Sequence, residues 1–163
     1  MDARWIFYAR WLFIGCSDSS FEVTGSPDGT EFTAVSAHWG SQFILFVDRE
    51  IECIDMWWVQ TFNLQGEEAP TNTDLKALQI TYNNEEEDIF EGNYSVGGEA
   101  PIKTEFLEIS GESFNVSRAT EGILELDKKV DNKTLTGGLN FIFSEGSVAG
   151  TFEDIIWCNN IKP

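Results

Sequence analysis

Apolar and polar residues alternate along most of this chain in short runs, with turn residues between the runs at intervals of about 8–12 positions. Helical spacing of apolar residues is not sustained over any long stretch. The clearest alternating run is 90–96, in which Phe90, Tyr94 and Val96 share one face with Gly92 while the other face is polar. This pattern predicts an all-β fold, either an antiparallel β-sandwich or a partly open β-barrel.

The C-terminal third of the chain has the strongest alternation. Three successive segments place their apolar residues on one side: Leu124 and Leu126, then Leu135, Leu139, Phe141 and Phe143, then Val148 and Phe152. Residues 131–133 and 144–147 are rich in turn-forming side chains and separate these segments. We therefore predict a C-terminal meander of three antiparallel strands joined by short turns.

Further strands are predicted upstream of the meander, for a total of about nine or ten. They cover residues 21–24, 31–39, 41–48, 75–82, 101–109 and 113–117. Residues 43–47 are apolar on both faces, which indicates a central strand of the sheet. Residues 54–64 fit either a strand or a short helix. The chain shows no internal repeat, so residues 21–163 are expected to form a single β domain.

Residues 1–20 have the features of a degenerate lipoprotein signal followed by a tether. Arg4 and Arg10 supply positive charge, apolar residues surround them, and Gly15 is a small residue directly before Cys16. In a bacterial lipoprotein signal, the cysteine after the small residue becomes lipidated, and the polar residues that follow form the tether. The alternative is that the same apolar residues form an N-terminal strand or helix packed on the domain.

The three cysteines are Cys16, Cys53 and Cys158. Their spacing contains no C-x-x-C motif and the chain has a single histidine, so we expect no metal site and no cofactor. If Cys16 carries a lipid, Cys53 and Cys158 are free to pair with each other. The alternative is that these two remain free thiols, buried as small hydrophobic residues.

The charge balance limits the possible partners. Ten Lys and Arg residues face 28 Asp and Glu residues, which gives a formal net charge of −18. Such a surface repels nucleic acid and anionic lipid headgroups. We therefore expect no nucleic-acid partner, and contact with a membrane only through a lipid anchor. The charge indicates a well-solvated surface in a salty or exposed environment.

Motifs for catalysis are lacking in the sequence. His38 would have to serve any Ser-His-Asp or Cys-His site, but the chain contains no G-x-S-x-G motif. We therefore interpret His38 as a structural or surface residue and expect no enzymatic activity. Trp39, Trp57 and Trp58 carry a weaker hypothesis of ligand binding, because exposed aromatic rings on a β-sandwich can stack on sugars. Core packing is the more common position for such rings.

Several short motifs occur in a fixed order along the chain. Residues 43–47 are followed by Cys53, and three glycine motifs come later: Gly92-Asn93-Tyr94, Gly122-Ile123-Leu124, and Gly150-Thr151-Phe152, which leads to Cys158. In this order the chain resembles small, mostly uncharacterised lipoproteins of the bacterial cell envelope over roughly residues 21–158. The resemblance implies an antiparallel β-sandwich or partial barrel, a lipid anchor at Cys16, and a Cys53–Cys158 disulfide.

Together these observations predict a non-enzymatic lipoprotein of the bacterial cell envelope. It would be anchored in the outer membrane by a lipid, or lie free in the periplasm or outside the cell. Its expected role is that of a structural or interaction module, with a protein or glycan as partner. The alternative function is a carbohydrate-binding module that uses surface tryptophans and carboxylates. The sequence does not predict an oligomeric state.

Overall fold

The computed structural model describes residues 19–40, 42–53, 74–82, 91–97, 102–110, 113–130 and 134–158. These residues form eleven β-strands, which confirms the predicted all-β fold class. The strands are β1 (Ser20–Gly25), β2 (Phe32–Thr33), β3 (Ser36–Gly40), β4 (Phe43–Val47), β5 (Leu75–Tyr82), β6 (Gly92–Val96), β7 (Ile102–Ser110), β8 (Ser113–Arg118), β9 (Glu121–Val130), β10 (Thr134–Ile142) and β11 (Ser147–Trp157).

The strands build one curled open sheet that forms a half-barrel. Their order is β6-β9-β10-β11-β3-β4-β5-β7-β8, and β1 pairs with both β11 and β2. The predicted antiparallel meander is confirmed as β9, β10 and β11. One end of this path, β6, approaches β5 near the other end. The ring centroids of Tyr94 in β6 and Tyr82 in β5 lie 5.6 Å apart in an edge-to-face arrangement.

The predicted strand at 31–39 is divided into β2 and β3. The reason lies in the hydrogen bonds of the two residues between them. The Ala34 N–H donates to the Val23 carbonyl of β1, whereas the Val35 N–H donates to the Val47 carbonyl at the end of β4. The chain therefore changes its pairing partner at this point, and the alternation in sequence continues across a break in the ladder.

The main hydrophobic core lies on the inner face of the curled sheet. Its largest fully buried side chains are Trp39, Phe32, Phe46, Phe106, Phe141 and Phe152. The ring centroids of Phe32 and Phe106 lie 5.4 Å apart, as do those of Phe46 and Phe152. Burial of each such ring stabilises the fold by roughly 1.5–3 kcal/mol. All eight apolar residues assigned to the inner side of the meander are buried.

The central strands β4, β5 and β7 are buried on both faces, and for β4 this confirms the prediction made from the apolar run 43–47. A second group of buried residues lies on the outer face of these strands, and we call it the outer cluster. It comprises Leu45, Val47, Leu75, Ala77, Leu107, Ile109 and Cys158. By contrast, the outer face of β9, β10 and β11 is exposed, including Ile123 and Ile142. The half-barrel thus has one covered and one open outer surface.

A buried carboxylate lies next to the outer cluster. The Glu105 side chain is only 3% exposed, and it pairs with Lys103 at 2.7 Å and with Arg118 at 2.9 Å. Both cations come from residues near Glu105 in the antiparallel β7–β8 pair. The pairing matters because a buried charge without a partner destabilises a fold by several kcal/mol.

Two adjacent glycines of β10 occupy different environments. Gly137 pairs with Phe152 across the sheet, and a Cβ atom at this position would lie 2.1 Å from the Glu125 carbonyl oxygen and 3.0 Å from the Phe152 ring. At Gly138, a Cβ atom would lie 3.5 Å from the Gly150 carbonyl oxygen and 3.8 Å from a Thr151 methyl carbon. Only the first position lacks room for a side chain.

We therefore expect the same substitution to destabilise the protein at Gly137 but not at Gly138. Gly137→Ala is expected to lower the free energy of unfolding by about 2–3 kcal/mol, because the β9 backbone must move away from the new methyl group. Gly138→Ala is expected to change it by no more than about 0.5 kcal/mol. Urea denaturation followed by far-UV circular dichroism measures both values. Equal effects of the two substitutions would contradict the close packing seen at Gly137.

Candidate functional site

The candidate site lies on the covered outer surface, beside strand β3. The outward-facing side chains of β3 hold the segment 49–53, which follows β4 along the chain. The Ser36 hydroxyl donates to the Arg49 carbonyl at 2.7 Å. Two residues further along each segment, His38 Nε2 lies 3.0 Å from the Ile51 carbonyl oxygen. These matched contacts fix the 49–53 segment along the outer face of β3.

The same register brings Cys53 to Cys158, and the two form a disulfide that joins positions 105 residues apart, with Cα atoms 5.4 Å apart. Cys158 directly follows β11, where Ile156 and Trp157 pair in parallel with β3. The Cys158 N–H donates to the Trp39 carbonyl at 2.8 Å. The disulfide therefore connects the segment after β4 to the end of the last strand. The predicted Cys53–Cys158 pair is confirmed.

The His38 imidazole lies against this disulfide. Its Nδ1 atom is 3.9 Å from Cys53 Sγ, and one ligand atom from each of His38, Cys53 and Cys158 lies within 4.8 Å of the other two. A carbonyl oxygen only accepts hydrogen bonds, so the contact with Ile51 places a proton on Nε2. In the neutral ring, Nδ1 then carries a lone pair directed towards the sulfur atoms.

The three residues differ in their access to solvent. His38 and Cys53 are half-buried, whereas Cys158 is 4% exposed and packs within the outer cluster. The sulfur atoms are thus held by the fold and are approached from the side of Cys53. A half-buried disulfide beside a histidine is a group that both reductants and soft metal ions can reach.

The other predicted site residues have different outcomes. Trp39 is fully buried, and its ring lies edge-to-face against Trp157 at a centroid distance of 4.4 Å. The prediction that the Trp39 ring stacks on a ligand is therefore wrong, because β3 turns this side chain into the main core. Cys16, Trp57 and Trp58 lie outside the described residues.

A second surface feature is a cleft beside the pair of strands β1 and β11. Its volume is about 480 Å³, and it is lined by Ser19, Ser20, Phe21, Glu22, Thr151 and Glu153. Glu22 pairs with Thr151, and Ser20 pairs with Glu153, so their side chains project from the same open face of the sheet. Hydroxyl and carboxylate groups in this arrangement can exchange hydrogen bonds with a polar ligand.

The sequence predicts that His38 is a structural or surface residue and does not connect it to the cysteines. The contact joins residues that are 15 positions apart to a third residue near the end of the chain, so no short spacing motif marks it. The alternation of side chains along the strand does indicate one property of His38. Because His38 lies between the apolar Ala37 and Trp39, its side chain faces away from the core. This alternation predicts on which face of the strand His38 lies, but it does not predict which residues His38 contacts there.

Comparison of the chain with protein-family models, with curated proteins and with solved structures gives no match. Within the described ranges, no helix has the length and hydrophobicity that crossing a membrane requires. Two features of the described structure bear on function: the disulfide with its adjacent histidine, and the open outer surface with its cleft.

Proposed function

We propose that this protein is a non-enzymatic interaction module of the bacterial cell envelope, anchored by a lipid on Cys16. The observation that carries the proposal is the Cys53–Cys158 disulfide. Disulfides persist in the periplasm and outside the cell, whereas the cytosol keeps thiols reduced. A structural disulfide therefore supports an extracytoplasmic location, which is the location that a lipid anchor requires.

The surface chemistry supports a binding role. The open outer face of β9, β10 and β11 presents Asn140, Ala149 and Thr151 together with the exposed Ile123 and Ile142. The exposed Glu22, Glu125 and Glu153 lie on the same face, and the formal net charge of the chain is −18. Small polar residues with a few exposed apolar ones form a surface on which a partner can pack, and the acidic charge favours a cationic partner over an anionic one.

The position of the single histidine supports a role without catalysis. His38 contacts a main-chain carbonyl and a disulfide, so both ring nitrogens face groups that do not act as nucleophiles in the oxidised protein. The carbohydrate-binding alternative is supported by the cleft with Glu22 and Glu153, whose carboxylates accept hydrogen bonds from hydroxyl groups. This alternative has less support than the sequence alone provides, since Trp39 lies in the core.

The anchor and the compartment are tested together in a bacterial host. We expect palmitate to label the wild-type chain, the Cys16→Ser variant to stay unlabelled, and globomycin to block signal cleavage of the wild type. Thiol trapping with a maleimide is expected to leave Cys53 and Cys158 unmodified in the envelope fraction. Wild-type protein that lacks the lipid and is found in the cytosol with both thiols modified would overturn the proposal.

A further inference from the structure

We propose that the reduced form of this protein binds a thiophilic d¹⁰ cation, Zn²⁺ or Cu⁺, through Cys53 Sγ, Cys158 Sγ and His38 Nδ1. The disulfide is then the oxidised, metal-free state of the same site. The proposal goes beyond the role in binding a partner, and it is independent of the lipid anchor. It rests on three observations about these residues: their separation, the orientation of the imidazole, and the way the fold holds them.

The separations suit a metal ion. With Zn–S bonds near 2.3 Å and Zn–N bonds near 2.0 Å in a tetrahedral arrangement, ligand atoms lie about 3.8 Å apart for two sulfurs and about 3.5 Å apart for a sulfur and a nitrogen. His38 Nδ1 already lies 3.9 Å from Cys53 Sγ, and all three ligand atoms lie within 4.8 Å of one another. The two sulfur atoms must separate, by rotation of side chains whose Cα atoms are 5.4 Å apart.

The imidazole is oriented as metal-binding histidines are. Such a histidine usually donates its second ring N–H to a carbonyl or carboxylate, which fixes the tautomer and directs the other nitrogen at the metal. Here Nε2 donates a hydrogen bond to the Ile51 carbonyl at 3.0 Å. Nδ1 is then the ring nitrogen whose lone pair can bind a metal, and it faces the sulfur atoms. The supporting group of a metal ligand is thus present in the metal-free protein.

The fold holds each ligand by contacts other than the disulfide. His38 lies in β3, which pairs with β4 on one side and with β11 on the other. Cys158 is held by its N–H bond to the Trp39 carbonyl, and Cys53 follows the segment fixed by Ser36 and His38. Breaking the S–S bond therefore leaves the two thiols and the imidazole close together, which lowers the entropic cost of forming the site.

The chemistry balances with a dithiol as reductant. A dithiol donor gives two electrons and two protons to the Cys53–Cys158 disulfide and itself becomes a disulfide, through a mixed-disulfide intermediate. The half-buried Cys53 is the sulfur that a donor reaches first. Binding of Zn²⁺ then displaces the two thiol protons, while His38 contributes the Nδ1 lone pair without losing a proton. Two sulfur ligands and one imidazole match the preferences of Zn²⁺ and Cu⁺.

The test uses the full chain with Cys16→Ser, so that the third thiol does not contribute. The protein is reduced with a phosphine under anaerobic conditions and titrated with Zn²⁺ or Cu⁺, with Co²⁺ as a spectroscopic substitute for Zn²⁺. We expect one metal ion per chain, a thiolate-to-cobalt charge-transfer band, and no binding by the oxidised protein. The Zn²⁺ and Cu⁺ titrations decide which of the two cations binds more tightly.

The His38→Gln variant separates this site from an accidental pair of thiols. Its amide can still donate to the Ile51 carbonyl but supplies no imidazole nitrogen, so affinity is expected to fall at least ~10-fold. An unchanged affinity in this variant, or no stoichiometric binding of either cation by the reduced wild type, would overturn the proposal. Circular dichroism checks the fold, and reduced protein that stays unfolded with Zn²⁺ present would overturn it as well.

Discussion

Loss of the Cys53–Cys158 disulfide, in the double variant Cys53→Ser/Cys158→Ser, is expected to destabilise the protein by about 3–5 kcal/mol. The disulfide closes a loop of 105 residues, so its removal greatly increases the conformational entropy of the unfolded chain. The chain-entropy relation gives about 4.7 kcal/mol for a loop of this length, which is the upper end of the expected range. For a domain of this size, the midpoint of thermal unfolding is expected to fall by roughly 10–15 °C.

Thermal and guanidinium denaturation without added metal measure this change, and Cys16→Ser is the matched control. It removes a cysteine outside the described fold, and it is expected to leave the unfolding midpoint unchanged. A double variant as stable as the control would show that the disulfide contributes nothing to stability. In that case the 49–53 segment would be held by the bonds from Ser36 and His38 alone.

Truncation of Trp39 to alanine is the second change with a large expected effect. The side chain is fully buried and packs against Trp157, so Trp39→Ala leaves a cavity that the sheet cannot close. We expect the free energy of unfolding to fall by about 3–5 kcal/mol. Because tryptophan fluorescence changes with the substitution itself, chemical denaturation is followed by far-UV circular dichroism.

Ile156→Ala is the control for Trp39→Ala. Ile156 pairs with His38 across the short parallel ladder, but its side chain is 50% exposed. Its truncation is expected to cost less than about 1 kcal/mol, since little buried surface is lost. If Trp39→Ala lowered the free energy of unfolding no more than Ile156→Ala does, the assignment of Trp39 to the core would be wrong. Ligand binding by an exposed Trp39 ring would then again be a hypothesis to test.

Much of the fold follows from the alternation of side chains. The segment 75–82 is a strand with the predicted bounds, and 43–47 is central because both of its faces are apolar. The meander was predicted with its inward-facing residues, because each of its strands has one apolar and one polar face. These successes share a cause, since the period of two is a local property that neighbouring residues display by themselves.

The candidate site was predicted only in part. The Cys53–Cys158 pair could be anticipated because a lipid on Cys16 leaves only these two cysteines, whereas the position of His38 could not. Its contact with Cys53 depends on the 49–53 segment lying along β3, which in turn depends on single hydrogen bonds to the Arg49 and Ile51 carbonyls. Contacts of this kind are made between an outward-facing side chain and a segment without regular structure, so no periodic pattern records them.

The sequence by itself determined that the protein is all-β, that its C-terminal strands form a meander, and that its formal net charge is −18. Only the tertiary structure decided that β1 and β3 pair with β11, that Trp39 lies in the core, and that His38 faces the disulfide. The physical reason is that alternation defines two faces for each strand but does not say what covers them. That is decided by contacts between segments that are distant in sequence, such as β1 with β11 and Cys53 with Cys158.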